Sequence, residues 1–248
     1  MRQFDVFVWG FDAPQATNDN PAEWTPPFTD SALGWFPGND LHKSLPETEA
    51  EWAVIAHKSV HIDRDFLNSL ADCVSGYPMV DAFAPRIHEK ATRKFFSGYK
   101  LDKRSGFSML DENASMRFVA IPHPYIAVFS RRILQRTGAP DPLLHSVCQI
   151  ADLSLRMLHA GGKMFSVPYL VCNANEGFEP SPYSEKSTRN ELAFTLYKAF
   201  GFWQNASFLV RNAGIIPHLW ANRKALSEKR KNAILLSKLT KDFLAGLY

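Results

Sequence analysis

The chain has 248 residues, 46% of them hydrophobic and 21% charged, with a formal net charge of +3. That length suits one substantial α/β domain with an appendage, leaves little room for two full domains, and the apolar content excludes wholesale disorder. Cys73, Cys148 and Cys172 are too scattered for a zinc site or disulfide framework, and no apolar run approaches the roughly 20 residues that span a bilayer. The first residues, MRQFDVFVWGFD, lack the basic and apolar regions of a secretory signal, so a reducing cytosol is the expected setting.

Phe4 to Gly10 is an apolar, β-branched and aromatic run ending at glycine, which predicts a buried strand. Residues 12–31 are crowded with Pro, Asn, Asp and Thr and predict a long loop. Leu33–Phe36 is expected as a short strand, Asp40–Glu51 as a helix or irregular crossover, and Trp52–Ala56 as a strand covered on both faces. Asp63 is placed to cap a helix from Arg64 to about Val74 with Phe66, Leu67 and Leu70 facing the core, and Val80–Pro85 makes a further strand. Residues 88–117 read as polar and flexible. Tyr125–Phe129 returns to strand, followed by a helix from about Ser130. A second helix is expected from about Ile150 to Ala160, stopped by Gly161 and Gly162, and Met164–Pro168 leads into a strand near Tyr169–Cys172.

From Ser184 onward the pattern is helical, with Leu236, Leu239, Phe243 and Leu247 on one face. Residues 182–248 hold 11 Lys or Arg against 4 Asp or Glu, a balance of +7 that leaves −4 for the body. A basic tail of this kind suits either a solvated helix face or an anionic lipid surface; the acidic body and the lack of an RNA-binding aromatic signature argue against nucleic acid.

The stretch from Trp52 to Asn175 resembles the catalytic half of family 2-type glycosyltransferases of the GT-A fold. Ala53 to Leu67 is similar to the buried strand that ends in an Asp-x-Asp motif ahead of a helix, with His57 and Ser59 standing where the two aspartates would be. Ala127 to Leu144 looks like the strand, Arg-Arg helix and Gly-x-hydrophobic-Asp turn before the catalytic-base motif. Gln149 to Lys163 is similar to the Glu-Asp-x-Asp-Leu-x-x-Arg segment: Asp152, Leu153, Arg156 and Gly161 match, but the acidic pair is replaced by Gln149 and Ile150. Asn173 lies in the strand after which many relatives carry a metal-binding histidine, and asparagine stands there instead.

The resemblance implies a GT-A-like, Rossmann-like α/β domain over residues 1–181, with a mixed, mostly parallel sheet flanked by helices, and a basic helical extension over 182–248. It implies transfer of a sugar from a nucleotide donor to a bacterial surface-polysaccharide or lipopolysaccharide-type acceptor, glycan or lipid-linked. Trp9, Asp12, Asn39, His57, Lys58, Ser59 and His61 become the expected donor-binding residues. Lys58, His57 and His61 would meet phosphate charge directly. Arg93, Lys94 and His123 fall on the acceptor side, in or beside a segment that also carries Lys100, Lys103 and Arg104. Asp152 is the surviving candidate base, with a brace to Arg156 four residues on as its structural alternative. Replacement of the acids disfavours the Mn or Mg ion usual at such a site, and no metal ligand is assigned. The basic tail would rest on the inner membrane face. A catalytically inactive GT-A-like domain that binds a glycan or a partner enzyme is the competing expectation.

Overall fold

The computed structural model describes residues 2–10, 33–37, 40–102, 106–110, 115–183 and 186–204, with isolated positions beyond. Asp12, Asn39, the 12–31 segment, Lys103, Arg104 and the apolar face of the tail lie outside the described residues.

Strand β1 (Phe4–Trp9) is buried along its length and pairs in parallel with β2 (Leu33–Pro37) on one side and β3 (Trp52–His57) on the other. Helix α1 (Leu41–Ser44) and a 3₁₀ turn over 45–47 make the crossover between β2 and β3. A two-residue strand, β4 (Val60–His61), follows β3 almost at once, and then helix α2 (Arg64–Gly76). The Asp63 side chain accepts the Phe66 amide at 2.8 Å, and Phe66, Leu67 and Leu70 are buried, as the capping signal and core spacing required.

After α2 come β5 (Ala82–Phe83), β6 (Arg86–Glu89), β7 (Lys94–Phe96), β8 (Tyr99–Asp102), β9 (Gly106–Met109) and β10 (Arg117–Phe118). The expectation of a flexible segment over 88–117 is therefore corrected: its described residues are largely β-structure. Strand β5 is shorter than expected, and Asp81 just before it braces the neighbouring segments. Its carboxylate accepts from the Lys163 amide and pairs with Arg132 at 2.6 Å.

Strand β11 (Ile126–Ser130) leads into α3 (Arg131–Thr137), whose Ile133 amide is capped by the Ser130 hydroxyl. Helix α4 (Ser146–His159) begins four residues before the expected start, and β12 (Met164–Ser166), β13 (Val171–Ala174) and α5 (Lys186–Gln204) complete the described elements.

Seven strands form one sheet in the order β10-β12-β5-β11-β3-β1-β2. Five run one way, while β11 is antiparallel to both β3 and β5, and β10 is antiparallel to β12. A second sheet has the order β4-β13-β6-β7. Its strands β4, β6 and β13 follow closely on β3, β5 and β12, so the second sheet grows from the carboxyl ends of the first. The corner between them is where ligands bind in open α/β sheets.

Two buried polar clusters brace this frame. Asp5, fully buried on β1, accepts from the Thr48 hydroxyl at 2.8 Å and from the amides of Glu49 and Ala50 at 2.9 and 3.0 Å, fixing the turn into β3. Lys198 of α5 is buried between Asp141, at 3.2 Å, and Asp152 of α4. The described part of α5 thus shares the core of the domain, with Leu192, Ala193 and Leu196 buried in the main cluster.

Replacing Asp5 with Ala leaves two amides and a hydroxyl without their acceptor, an expected loss of about 3 kcal/mol in urea unfolding. A loss below about 1 kcal/mol would show that the turn is held by other contacts.

Candidate functional site

The corner is built where β1 and β3 end. The Lys58 amide donates to the Trp9 carbonyl at 2.9 Å and the His57 amide to the Tyr125 carbonyl at 2.8 Å, so Trp9, His57 and Tyr125 come side by side from three adjacent strand ends. The imidazole of His57 stacks on the Tyr125 ring, with centroids 4.2 Å apart and planes 17° from parallel, and Trp9 meets its edge at 4.6 Å.

His57 Nδ1 lies 3.1 Å from the Ser59 amide, which has only a proton to offer, so Nδ1 is an acceptor and the ring proton sits on Nε2. The Ser59 hydroxyl reaches the same nitrogen at 2.6 Å. On the other edge, Gly10 has φ +90, and a Cβ placed there would stand 2.0 Å from Nε2. Only glycine leaves room for the ring and adopts that conformation without strain. The Asn175 amide donates to the Ser59 carbonyl at 2.7 Å, and Asn173 pairs with His61 across β13 and β4.

Burial, reinforced by the Lys58 charge, lowers the His57 pKa to about 4. His57 is therefore neutral at physiological pH, so any contact it makes with phosphate would be a hydrogen bond and not an ion pair. With its lone pair held by Ser59 and Ser59 itself 1% exposed, the pair is a fixed scaffold and not a ready proton acceptor.

The other expected residues separate into distinct places. Lys58 and His61 are exposed at the rim. Trp9 is buried, and its indole Nε1 has no hydrogen-bond partner among the described residues. Arg93 and Lys94 are exposed at the hairpin joining β6 to β7, where Arg93 takes φ 58. His123, expected on the acceptor side, is fully buried beneath the corner. Burial lowers its pKa to about 3, against a raising effect of the Pro180 carbonyl, with a smaller lowering from His57.

Asp152, expected as the base, is 1% exposed, with Oδ2 held by Arg156 Nε at 2.9 Å and Oδ1 by Lys198. Arg156 also donates to the carbonyls of Thr137 and Ala139 at the end of α3. In this geometry Asp152 braces α4 against α3 and α5, the alternative that its spacing to Arg156 suggested. A separate cavity of about 250 Å³, lined by Leu45, Thr48, Arg131 and Gln135 among others, opens at the amino ends of the strands, away from Trp9 and His57.

Sequence reasoning missed Tyr125 and Gly10 as site residues. Gly10 carried a readable signal, a glycine closing a buried strand. Tyr125 carried none, because its role comes from the antiparallel pairing of β11.

Among the described residues, the donor atoms of the 57–61 segment do not fit a divalent cation. Hard cations take carboxylate and carbonyl oxygens, whereas residues 57–61 offer a neutral imidazole whose lone pair is used and a hydroxyl bonded to it. Asp63, the next acid along, caps α2.

No protein-family model matches the sequence, and no characterised protein sequence does. Solved structures do resemble it. GalNAc-T7, solved with UDP, GalNAc and Mn2+, superposes with a TM-score of 0.61 at 11% identity, over 87% of this chain and 46% of its own. The fold is GT-A. The chain spans less than half the length of GalNAc-T7. Two further superpositions are looser: the mannosyltransferase PcManGT from Pyrobaculum calidifontis, with GDP-Man and Mn2+, has a TM-score of 0.42 at 14% identity over 100% of this chain and 84% of its own. A197 from STIV has a TM-score of 0.41 at 8% identity over 67% and 82%.

Between pH 6.5 and pH 4 the unfolded chain takes up protons that the folded His57 and His123 refuse, so stability is complete above 6.5 and falls as pH drops through this window. The slope reaches about 1.4 kcal/mol per pH unit for the fully buried His123 and less for the partly exposed His57. Urea unfolding at about pH 7.5 and about pH 5 reads it, and His123→Gln is expected to remove the larger share. An unchanged slope in that variant would contradict the buried, neutral assignment.

Proposed function

We propose that this GT-A domain is a glycosyltransferase that binds a nucleotide-sugar donor at the corner where β1 and β3 end. The observation that carries the reading is the GT-A sheet itself, with its second sheet closing a corner at the carboxyl ends of the strands. GalNAc-T7 was solved with UDP and GalNAc, which makes a nucleoside diphosphate sugar the substrate class to test.

At this corner the donor would meet hydrogen-bond donors and cations from the protein itself. Lys58 and His61 stand at the rim, and Trp9 Nε1 lies beneath. The diphosphate charge would be offset by these groups, and the enzyme would work without Mn or Mg. The exposed Arg93 and Lys94 fit the acceptor side, where a glycan or lipid-linked acceptor of the bacterial surface-polysaccharide or lipopolysaccharide type would lie. The basic tail would place the enzyme peripherally on the inner face of the cell membrane. Among the described residues no helix is long and apolar enough to cross a membrane.

Calorimetry with UDP- and GDP-sugars tests the reading. At least one donor is expected to bind with an affinity that EDTA leaves unchanged, and Lys58→Ala is expected to weaken it about tenfold, the loss of one charge-assisted contact. Failure of every common donor to bind, with and without manganese, would overturn the transferase reading in favour of a glycan- or partner-binding module. Binding abolished by EDTA would overturn the metal-independent part alone.

A further inference from the structure

Two histidines at the corner carry the same local device. His57 Nδ1 accepts the amide of Ser59, two residues on, and His123 Nδ1 accepts the amide of Tyr125, two residues on, at 3.3 Å. In both, the proton is thereby placed on Nε2. For His123 that proton points to the Pro180 carbonyl at 3.4 Å. His123 is thus bonded on one side to the residue whose ring stacks on His57, and on the other to the segment that follows β13.

The surroundings hold this arrangement tightly. The His123 ring lies 5.2 Å from Tyr125 and 5.3 Å from Phe178, with Phe96 and Tyr99 each at 6.3 Å. Phe178 in turn packs on Tyr125 at 5.7 Å and on Phe96 at 5.5 Å. The segment 175–183 is therefore tied to the corner at its start through Asn175 and Ser59, and at its middle through Phe178, Pro180 and His123. The titratable and charged groups acting on this pair of histidines are Lys58 on His57, and Tyr99, Tyr125 and His57 around His123, with Glu179 acting on Tyr99.

A histidine with no solvent exposure is costly unless both nitrogens are matched, and a leucine or phenylalanine would fill the space without that cost. What the imidazole supplies beyond volume is a bond on each edge, and these two bonds join Tyr125 to Pro180.

We propose that His123 is a positioning residue for His57: by anchoring Tyr125 to the 175–183 segment, it holds the Tyr125 ring against the His57 imidazole. It thereby keeps the His57 ring shielded from water, while the Ser59 amide sets its tautomer. Displacement of the 175–183 segment would then be felt at His57 and not only at the surface. The functional meaning of this coupling rests on the donor-binding reading of the corner, but its physical content does not.

Imidazole nitrogen NMR of the full chain tests it without any donor present. In the native protein His57 is expected to show an acceptor Nδ1 and a titration midpoint near 4. In His123→Phe the midpoint should move from about 4 toward the ordinary 6.5, while His123→Gln, which keeps an acceptor for the Tyr125 amide and a donor for Pro180, should hold it low. Tyr125→Leu, which leaves His123 intact and removes the intermediary ring, should also raise it. A folded His123→Phe or Tyr125→Leu variant whose His57 titrates as in the native protein would overturn the proposal. Should His123→Phe fail to fold, Tyr125→Leu and His123→Gln decide: a His57 that titrates in both as in the native chain, or is released equally in both, overturns it. Donor calorimetry on the native chain is read separately, so absence of donor binding counts against the transferase reading and leaves the positioning result standing.

Discussion

The site depends on one feature of the main sheet, the antiparallel entry of β11 between β3 and β5. A parallel strand in that place would begin at the opposite end of the sheet. Because β11 runs backwards, its first residues arrive where β3 finishes, and the His57 amide closes the ladder on the Tyr125 carbonyl. Side chains on one face of neighbouring strands come within about 5 Å of one another, and here that proximity makes a face-to-face pair of rings. Ser59 and His123 are then placed by lying two residues from this pair, and Trp9 and Gly10 by the parallel register of β1 with β3.

Much of the scaffold was legible because it obeys strong local rules. Strands β1 and β3 are continuous apolar runs, which a strand buried on both faces requires. Asp63 and Ser130 announce the helices they cap. Residues 88–117 were illegible for the opposite reason. Their strands are two to four residues long, too short for a period to show, and β8 buries Tyr99 and Leu101 while exposing Lys100, so polar residues are interleaved with core. The role of Lys198 was illegible for another reason. A lysine on a helix normally marks a solvated face, yet this one is neutralised by Asp141 and by Asp152, partners whose proximity only tertiary packing creates.

For the candidate site, sequence reasoning singled out residues at the strand end but not the groups that set their chemistry. The strand end, His57 and Ser59 were identified by their alignment with an acidic motif, and they do sit together at the corner. Their electrostatic character follows from details that residue type leaves open. Which nitrogen of His57 is protonated is decided by the Ser59 amide, and its neutrality is decided by rings contributed from β1 and β11. Asp152 shows the same limit. Its position in the helix predicted both a base and a brace for Arg156, and the buried Lys198, 46 residues farther along the chain, is what seals it into the brace.

The substitutions at the corner are also mutually consistent in charge. Two carboxylates and one divalent cation sum to zero, and so do a neutral imidazole and a hydroxyl. Losing the acids while keeping the ion would leave a doubly charged cation beside Trp9 and Tyr125 without its oxygen ligands, at high desolvation cost. Losing the ion while keeping the acids would set two carboxylates against the donor diphosphate. The joint exchange leaves these two positions without net charge, and on the donor-binding reading proposed above phosphate would be met by groups at the rim, Lys58 first among them. The aromatic walls around His57 and the buried bonds of His123 then acquire a physical purpose. They hold the loop after β3 by packing and by hydrogen bonds, the Lys58 amide to Trp9 and the Asn175 amide to Ser59.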